Sequence, residues 1–204
     1  MSMGQDSGTV ADYRADSAAV RAVMAGDRHA FGALVDRHLP AVVGVVGRIV
    51  CNRADAEDLA QDTFVRAFQR LGQYGQEHSF RNWLLKIATN LALNHLQARR
   101  RERNRYPRIA ETRPDCVEVA DEGPELPSPR QWQHWLAKLD EAQRAAIVLF
   151  HFQNLSYAEV AEALDVPVNT VRTHLHRGRR RLRELMSVRP LAENESWSAV
   201  IQNC

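Results

Sequence analysis

The chain has 204 residues, of which 45% are hydrophobic, so it can bury the core of one large domain or of two small ones. Its formal net charge is +2, and its three cysteines lie far apart without the spacing of metal ligands, so we expect neither a disulfide framework nor a metal site. No apolar run follows a basic N-terminus, and the longest apolar stretch, residues 39–50, is interrupted and too short to span a bilayer. These features predict a soluble, cytoplasmic protein with no stable membrane association of its own.

The N-terminal half of the chain is predicted to be helical. Residues 1–17 are small and polar and are expected to be disordered. The segments that follow show apolar residues at helical spacing, and no segment shows the sustained alternation of a strand. Asp27, Asp55 and Ser79 stand at the starts of such segments and are interpreted as helix N-caps. We therefore predict a compact helical domain over residues 18–103.

One predicted helix, residues 55–71, has two different faces. Its apolar stripe is expected to be buried and consists of Leu59, Thr63, Ala67, Phe68 and Leu71. Its other side is acidic with one exposed valine and consists of Asp58, Gln61, Asp62 and Val65. Because an acidic surface repels DNA, this face indicates a basic protein partner. The alternative is an ordinary solvated helix face.

Aromatic and polar side chains cluster beside a loop that contains Gly75. The aromatic residues of this cluster are Phe68, Tyr74, Phe80 and Trp83. Polar residues follow at helical intervals, namely Arg81, Lys86, Asn90 and Asn94, and the helix leads into a segment, residues 97–108, that contains six arginines and one acid. Aromatic rings and amides beside a basic helix favour the capture of unstacked single-stranded bases. The alternative is that the rings belong to the core.

The C-terminal half begins after a break in periodicity. Residues 104–130 contain five prolines and scattered acids, which predicts a flexible linker. A helical pattern then extends over residues 131–186, and residues 187–204 form a mostly polar tail. Ser156 and Glu159 have the spacing of a capping box at the start of one helix.

Residues 156–183 have the spacing of a helix-turn-helix. Asp165 is expected to adopt the left-handed conformation at the turn, Pro167 suits a first helical position, and Val171 faces inward. The second helix presents Arg172, Thr173, His176 and Arg177 outward, followed by Arg179, Arg180 and Arg181. Such a helix can read base edges in the major groove while the later arginines hold phosphates. A helix-turn-helix that only binds protein is the alternative, and a metal site at His174 and His176 is disfavoured because alternate residues of a helix point to different sides.

The two blocks together resemble the extracytoplasmic-function (ECF) sigma factors of the sigma-70 family, over residues 18–103 and 131–186. The matching stretches are EDLAQDTFVRAF, SFRNWLLKIATNLALNHLQARRR and LSYAEVAEALDVPVNTVRTHLHRGRRRL. The resemblance implies an all-α fold of two small helical domains, regions two and four, joined by the linker. It implies a factor that binds core RNA polymerase, recognises the promoter −10 and −35 elements and starts transcription of a stress- or signal-responsive set of genes.

The resemblance also assigns residues to each surface. Polymerase contacts, on the coiled coil of the largest subunit, would be Asp58, Gln61, Asp62 and Val65, and a further contact with the polymerase flap is implied. The −10 element would be held by the loop 73–79 and by Tyr74, Phe80, Arg81, Trp83, Lys86, Asn90, Asn94, Arg99 and Arg100. The −35 element would be read by Arg172, Thr173, His176, Arg177 and Arg180. Asn169 departs from the family pattern, which usually has glycine there.

Further expectations concern partners and chemistry. The resemblance implies an anti-sigma factor as an inhibitory partner. No nucleophile–base constellation, phosphate-binding glycine loop or paired catalytic carboxylate stands out, so no cofactor and no enzymatic activity are expected. Two alternatives remain open at this point. One is a stand-alone helix-turn-helix repressor, and the other is an interaction module such as an anti-anti-sigma adaptor.

Overall fold

The computed structural model describes residues 6–75, 79–105 and 127–187. In these ranges every regular element is helical. Four helices form the N-terminal domain, namely α1 (Asp6–Met24), α2 (Ala30–Val50), α3 (Arg53–Gln69) and α4 (Phe80–Arg105). Four helices form the C-terminal domain, namely α5 (Pro129–Ala137), α6 (Glu141–Ile147), α7 (Tyr157–Leu164) and α8 (Val168–Ser187). A π-helical segment, Val148–Phe152, extends α6.

The core of the N-terminal domain forms around α2, which packs against α1, α3 and α4. Its fully buried side chains, Leu34, Val42, Val45, Val46 and Ile49, recur at spacings of three, four or multiples of them, as on one face of a helix. Among the described residues α2 is the helix with the length and hydropathy to cross a bilayer. Because α2 packs against three other helices, its buried apolar residues form part of the core of this domain.

The first helix begins earlier than the sequence predicts. Residues 1–17 are expected to be disordered, yet α1 starts at Asp6. Its C-terminal half is anchored to α2, because the buried carboxylate of Asp16 bonds both His38 and Arg37 and Val20 is 2% exposed. Once such packing has formed one end of a helix, adding further turns costs little, since propagation is far easier than nucleation.

Two predicted N-caps are displaced along the chain. The N-cap of α3 is Asn52, whose side chain accepts from the backbone N–H of Asp55 at 3.0 Å, so Asp55 lies in the first turn instead. Asp27 accepts from the backbone N–H of His29, and His29 is the N-cap of α2. A helix N-cap is therefore not fixed by its residue type alone, because each of these helices has a second polar residue two or three positions away that takes the N-cap position.

The two domains pack directly against each other, which the predicted flexible linker does not anticipate. Helix α4 packs on α7, and α2 lies against α5 and the π-helical segment. Buried residues of both domains belong to one continuous apolar cluster. Most of the predicted linker and the tail from residue 188 lie outside the described residues.

Candidate polymerase and promoter surfaces

Helix α3 presents the acidic face that the sequence predicts. Asp58, Gln61, Asp62 and Val65 are all exposed, and the side chain of Val65 is 54% exposed. Within the described part of the chain neither Asp58 nor Asp62 takes part in an ion pair. The face therefore combines free carboxylates with an apolar spot, a composition that suits a basic protein surface.

The apolar side of α3 differs from its prediction at one position. Leu59, Thr63, Ala67 and Leu71 are buried, but Phe68 is 38% exposed and touches Phe31 edge to face at 5.1 Å. The reason is geometric. Phe64, which the predicted stripe omits, supplies the large buried ring at 7% exposure and leaves Phe68 at the margin of the acidic face.

Three rings of the predicted aromatic cluster come together, and two of these lie in the core, whereas the fourth, Phe68, contacts Phe31 instead. Phe80 is 1% exposed and Tyr74 is 9% exposed, and both pack on Trp83 with ring centroids 5.3 to 5.7 Å apart. Burial raises the pKa of the Tyr74 phenol to about 12. Trp83 is half-buried and is the ring of this trio that reaches the surface. Three residues of the adjoining loop, 76–78, lie outside the described residues.

The polar side chains of α4 fall into two groups. Arg81 and Lys86 face the C-terminal domain, whereas Asn90 and Asn94, further along the helix, are exposed. Near the end of the helix Arg99 bonds the carboxylate of Asp55, which also lies 3.2 Å from His95. Arg100 is exposed beside Arg103. Asn90 and Asn94 thus lie one turn apart on one exposed side of α4, and the helix ends in concentrated positive charge.

The helix-turn-helix of α7 and α8 matches its sequence prediction closely. Ser156 accepts from the N–H of Glu159, and the Glu159 carboxylate accepts from the N–H of Ser156, which completes the capping box. Asp165 has φ 54° and ψ 48°, the left-handed conformation that the turn requires. Val171 and Leu175 are buried and attach α8 to the rest of the domain. Pro167 directly precedes α8, and its carbonyl accepts the first bonds of that helix.

The outer face of α8 is exposed along its whole length. The predicted −35 residues Arg172, Thr173, His176, Arg177 and Arg180 are all exposed. Asn169 accepts from the guanidinium of Arg172 at 3.3 Å, and its carbonyl accepts from the Thr173 hydroxyl at 3.0 Å. The residue that departs from the family pattern therefore contacts two predicted DNA-binding residues. The sequence signal for these contacts is the spacing, because Asn169 precedes Arg172 and Thr173 by three and four residues on the same helix.

Not every arginine of α8 faces solvent. Arg179 donates to the ring nitrogen Nε2 of His151 at 3.2 Å and lies over the ring of Phe150. Burial, together with the charge of Arg179, lowers the pKa of His151 to about 4, so this histidine is neutral. Arg180 and Arg181 both pair with Glu184. Arg179 is thus held against the domain by these contacts, whereas Arg180 and Arg181 lie on the surface.

Two family regions match this chain. Sigma-70 region 2 matches residues 34–102, and sigma-70 region 4 matches residues 130–182. Among similar proteins are the ECF RNA polymerase sigma factor SigW of Bacillus subtilis, 31% identical over 81% of this chain and 93% of that protein, and the ECF RNA polymerase sigma-E factor of Haemophilus influenzae, 33% identical over 83% and 94%.

Solved structures give the same result. The sigma factor RpoE in complex with the anti-sigma factor NepR, from Bartonella quintana, has a TM-score of 0.65 and 25% identity over 78% of this chain and 97% of that one. CnrH in complex with the cytosolic domain of CnrY has a TM-score of 0.62 and 27% identity over 87% and 98%. With both regions present in order, the chain belongs to the ECF RNA polymerase sigma factors, which are regulators of transcription rather than catalysts.

Proposed function

We propose that the chain binds core RNA polymerase through the exposed acidic face of α3, holds the promoter −10 element along α4 and reads the −35 element with α8. The observation that carries this proposal is the pairing of a free acidic surface in one domain with an exposed, arginine-rich recognition helix in the other. The acidic surface suits a basic protein partner, and the arginine-rich helix suits the phosphates of DNA. The chain itself then acts by binding alone and catalyses no reaction.

The roles along α8 follow from position on the helix. The N-terminal half of α8, which would enter a major groove, carries Arg172, Thr173, His176 and Arg177, and Arg180 follows within reach of the phosphates. Bases released by melting would exchange stacking in DNA for contacts along α4, where Trp83 offers a ring edge and Asn90 and Asn94 offer amides. The binding free energy of these contacts drives melting.

The relatives support a proposal for the partner and for the location. Solved relatives are held by anti-sigma factors, and we propose the same class of inhibitor for this chain, with the cytoplasm as its place of action. A stand-alone repressor would use the helix-turn-helix but has no use for the acidic face of α3. The family regions do not favour that alternative.

Run-off transcription with core polymerase and a promoter from the chain's own regulon tests the proposal. We expect Asp62→Arg to abolish initiation, because it places a cation against a basic partner, and Arg177→Ala to weaken it by roughly 10-fold, as expected for loss of one good DNA contact. The control is Asp12→Arg, an equal charge change at an exposed site on α1. Normal initiation by the Asp62→Arg protein would contradict the assignment of α3.

A further inference from the structure

The first turn of α8 contains an amide that holds one of the predicted DNA-binding arginines. Asn169 and Arg172 are both exposed and lie three residues apart, so they share a side of the helix. Nη1 of Arg172 donates to Oδ1 of Asn169 at 3.3 Å. Because a guanidinium has only donors, the oxygen of the amide and not its nitrogen must face Arg172. The bond therefore restricts the orientation of both side chains.

The partner of Arg172 is neutral, which distinguishes it from the partner of the later arginines. Arg180 and Arg181 pair with the carboxylate of Glu184, and this negative charge offsets part of theirs. The amide of Asn169 carries no net charge, so it orients Arg172 without reducing the attraction of the guanidinium to DNA. Arg172 is therefore held in place and still fully charged.

The bond to Asn169 leaves most of the donors of Arg172 available. A guanidinium has five N–H groups in a planar fork, and Asn169 accepts from one of them. Neighbouring N–H groups on the rest of the fork can still donate in parallel to two acceptors. Guanine presents two acceptors, N7 and O6, at its major-groove edge, and arginine is the side chain that most often binds both. The held arginine is therefore suited to reading guanine.

Holding Arg172 before DNA binds favours recognition. A free arginine side chain loses rotamer freedom when it docks on a base, and this loss of entropy opposes binding. Arg172 has already lost part of that freedom to its bond with Asn169. The bond also strengthens once DNA excludes water from the interface, since hydrogen bonds are stronger at a low local dielectric.

A second bond in the same turn separates the side chain of Asn169 from its backbone. The hydroxyl of Thr173 donates to the backbone carbonyl oxygen of Asn169 at 3.0 Å. Any residue at this position supplies that carbonyl, whereas the bond from Arg172 needs a side chain with an acceptor. Replacing Asn169 by alanine therefore releases Arg172 and leaves the bond of Thr173 in place.

We propose that Asn169 is a positioning residue of the −35 surface, which holds the guanidinium of Arg172 for bidentate contact with one guanine. This inference rests on the proposed function of α8. It adds a determinant that the family pattern does not supply, because the glycine usual at this position has no side chain to hold an arginine. Asn169 thus narrows the range of promoters that the chain accepts, and it does so through Arg172 rather than by contacting a base.

Selection of −35 sequences by the holoenzyme tests this role. Core polymerase and the full-length chain are incubated with a promoter from the chain's own regulon whose −35 element is randomised. Sequencing the bound DNA gives the base preference at each position of the element. Arg172→Ala identifies the base pair that Arg172 reads, as the position at which the preference for guanine is lost, and the other positions serve as an internal reference.

We expect Asn169→Ala to lower the guanine preference at that base pair about threefold or more, as for loss of one hydrogen bond, and to leave the other positions as they are. The variant should fold, because the site is exposed and alanine is the best helix former. Asn169→Asp is the matched variant, since its carboxylate still accepts from Arg172. We expect it to keep the guanine preference, while total DNA binding falls because the added negative charge repels phosphates.

Three results would overturn the positioning role. One is an unchanged guanine preference in Asn169→Ala, and another is a loss as large in Asn169→Asp as in Asn169→Ala. The third is a loss at a base pair that Arg172 does not read, which would mean that Asn169 contacts a base itself. If Arg172→Ala alters no base preference, the proposed function of α8 fails together with this inference, whereas an effect of Arg172→Ala without one of Asn169→Ala contradicts the inference alone.

Discussion

At the scale of single residues, burial decides which charged groups of this chain are structural. Asp16 is 4% exposed, and burial opposes its ionisation, but bonds from His38 and Arg37 outweigh this and lower its pKa. That carboxylate ties α1 to α2, whereas Asp62 has the same charge and stands free on α3. Residue type alone does not separate these two roles.

His151 gives the clearest dependence of stability on pH. Its folded pKa is about 4 against a usual value of 6.5, so the unfolded chain binds a proton that the folded chain does not over that range. Its contribution to stability is therefore complete above about pH 6.5 and is lost as the pH falls towards 4, by up to about 3 kcal/mol. Chemical denaturation of the natural protein at pH 7 and at pH 4.5 measures this loss.

The matched variant for this prediction is His151→Gln, because an amide oxygen can accept the bond from Arg179 without titrating. We expect it to reduce the fall in unfolding free energy between pH 7 and pH 4.5. An identical fall in the two proteins would show that other groups cause it.

At the scale of elements, the order and capping of the helices follow from local chemistry. The capping box of Ser156 and Glu159 and the left-handed Asp165 define where α7 begins and ends. That turn sets the angle between α7 and α8, and so the exposure of Arg172 and Arg177. A single backbone conformation thus links local sequence to the recognition surface.

Asp165 provides a test of this link. Glycine adopts the left-handed conformation at no steric cost, so Asp165→Gly should raise the free energy of unfolding by up to about 1 kcal/mol. Asp165→Val, which is β-branched, should lower it by about 1–2 kcal/mol. Thermal unfolding followed by circular dichroism compares the two variants, and a valine variant as stable as the glycine variant would contradict the role of the turn.

At the scale of the whole molecule, Arg144 links the domains. It is 7% exposed and donates to the carbonyls of Ile49 in one domain and of Ala137 and Leu139 in the other, with no carboxylate among these partners. The guanidinium thus donates to carbonyls that have no partner within a helix. The C-terminal end of a helix carries partial negative charge, which favours a cation at this place.

Replacing this residue should separate the unfolding of the two domains. Arg144→Met leaves buried carbonyls without donors, which we expect to cost about 2–4 kcal/mol, since each unsatisfied group costs about 1–3 kcal/mol. Differential scanning calorimetry should then resolve two transitions where the natural protein shows one. Arg101→Met, at an exposed site, is the control and should change stability by about 0.5 kcal/mol or less.

The sequence by itself determined the helical class, the helix-turn-helix and the outward face of α8, because capping, turn conformation and helical periodicity are local properties. It also identified the acidic face of α3, since residues three and four apart share a side of a helix. The family regions and relatives bear out the sigma-factor interpretation, whereas the individual DNA and polymerase contacts remain predictions.

Only the tertiary structure decided how these surfaces are used within the chain. The sequence does not show that Phe64 rather than Phe68 is buried, that Phe80 lies in the core, or that α1 extends back to Asp6. The pairing of Arg81 with Gln153 joins positions 72 residues apart. Such contacts depend on where two helical domains meet, and no local pattern encodes that meeting.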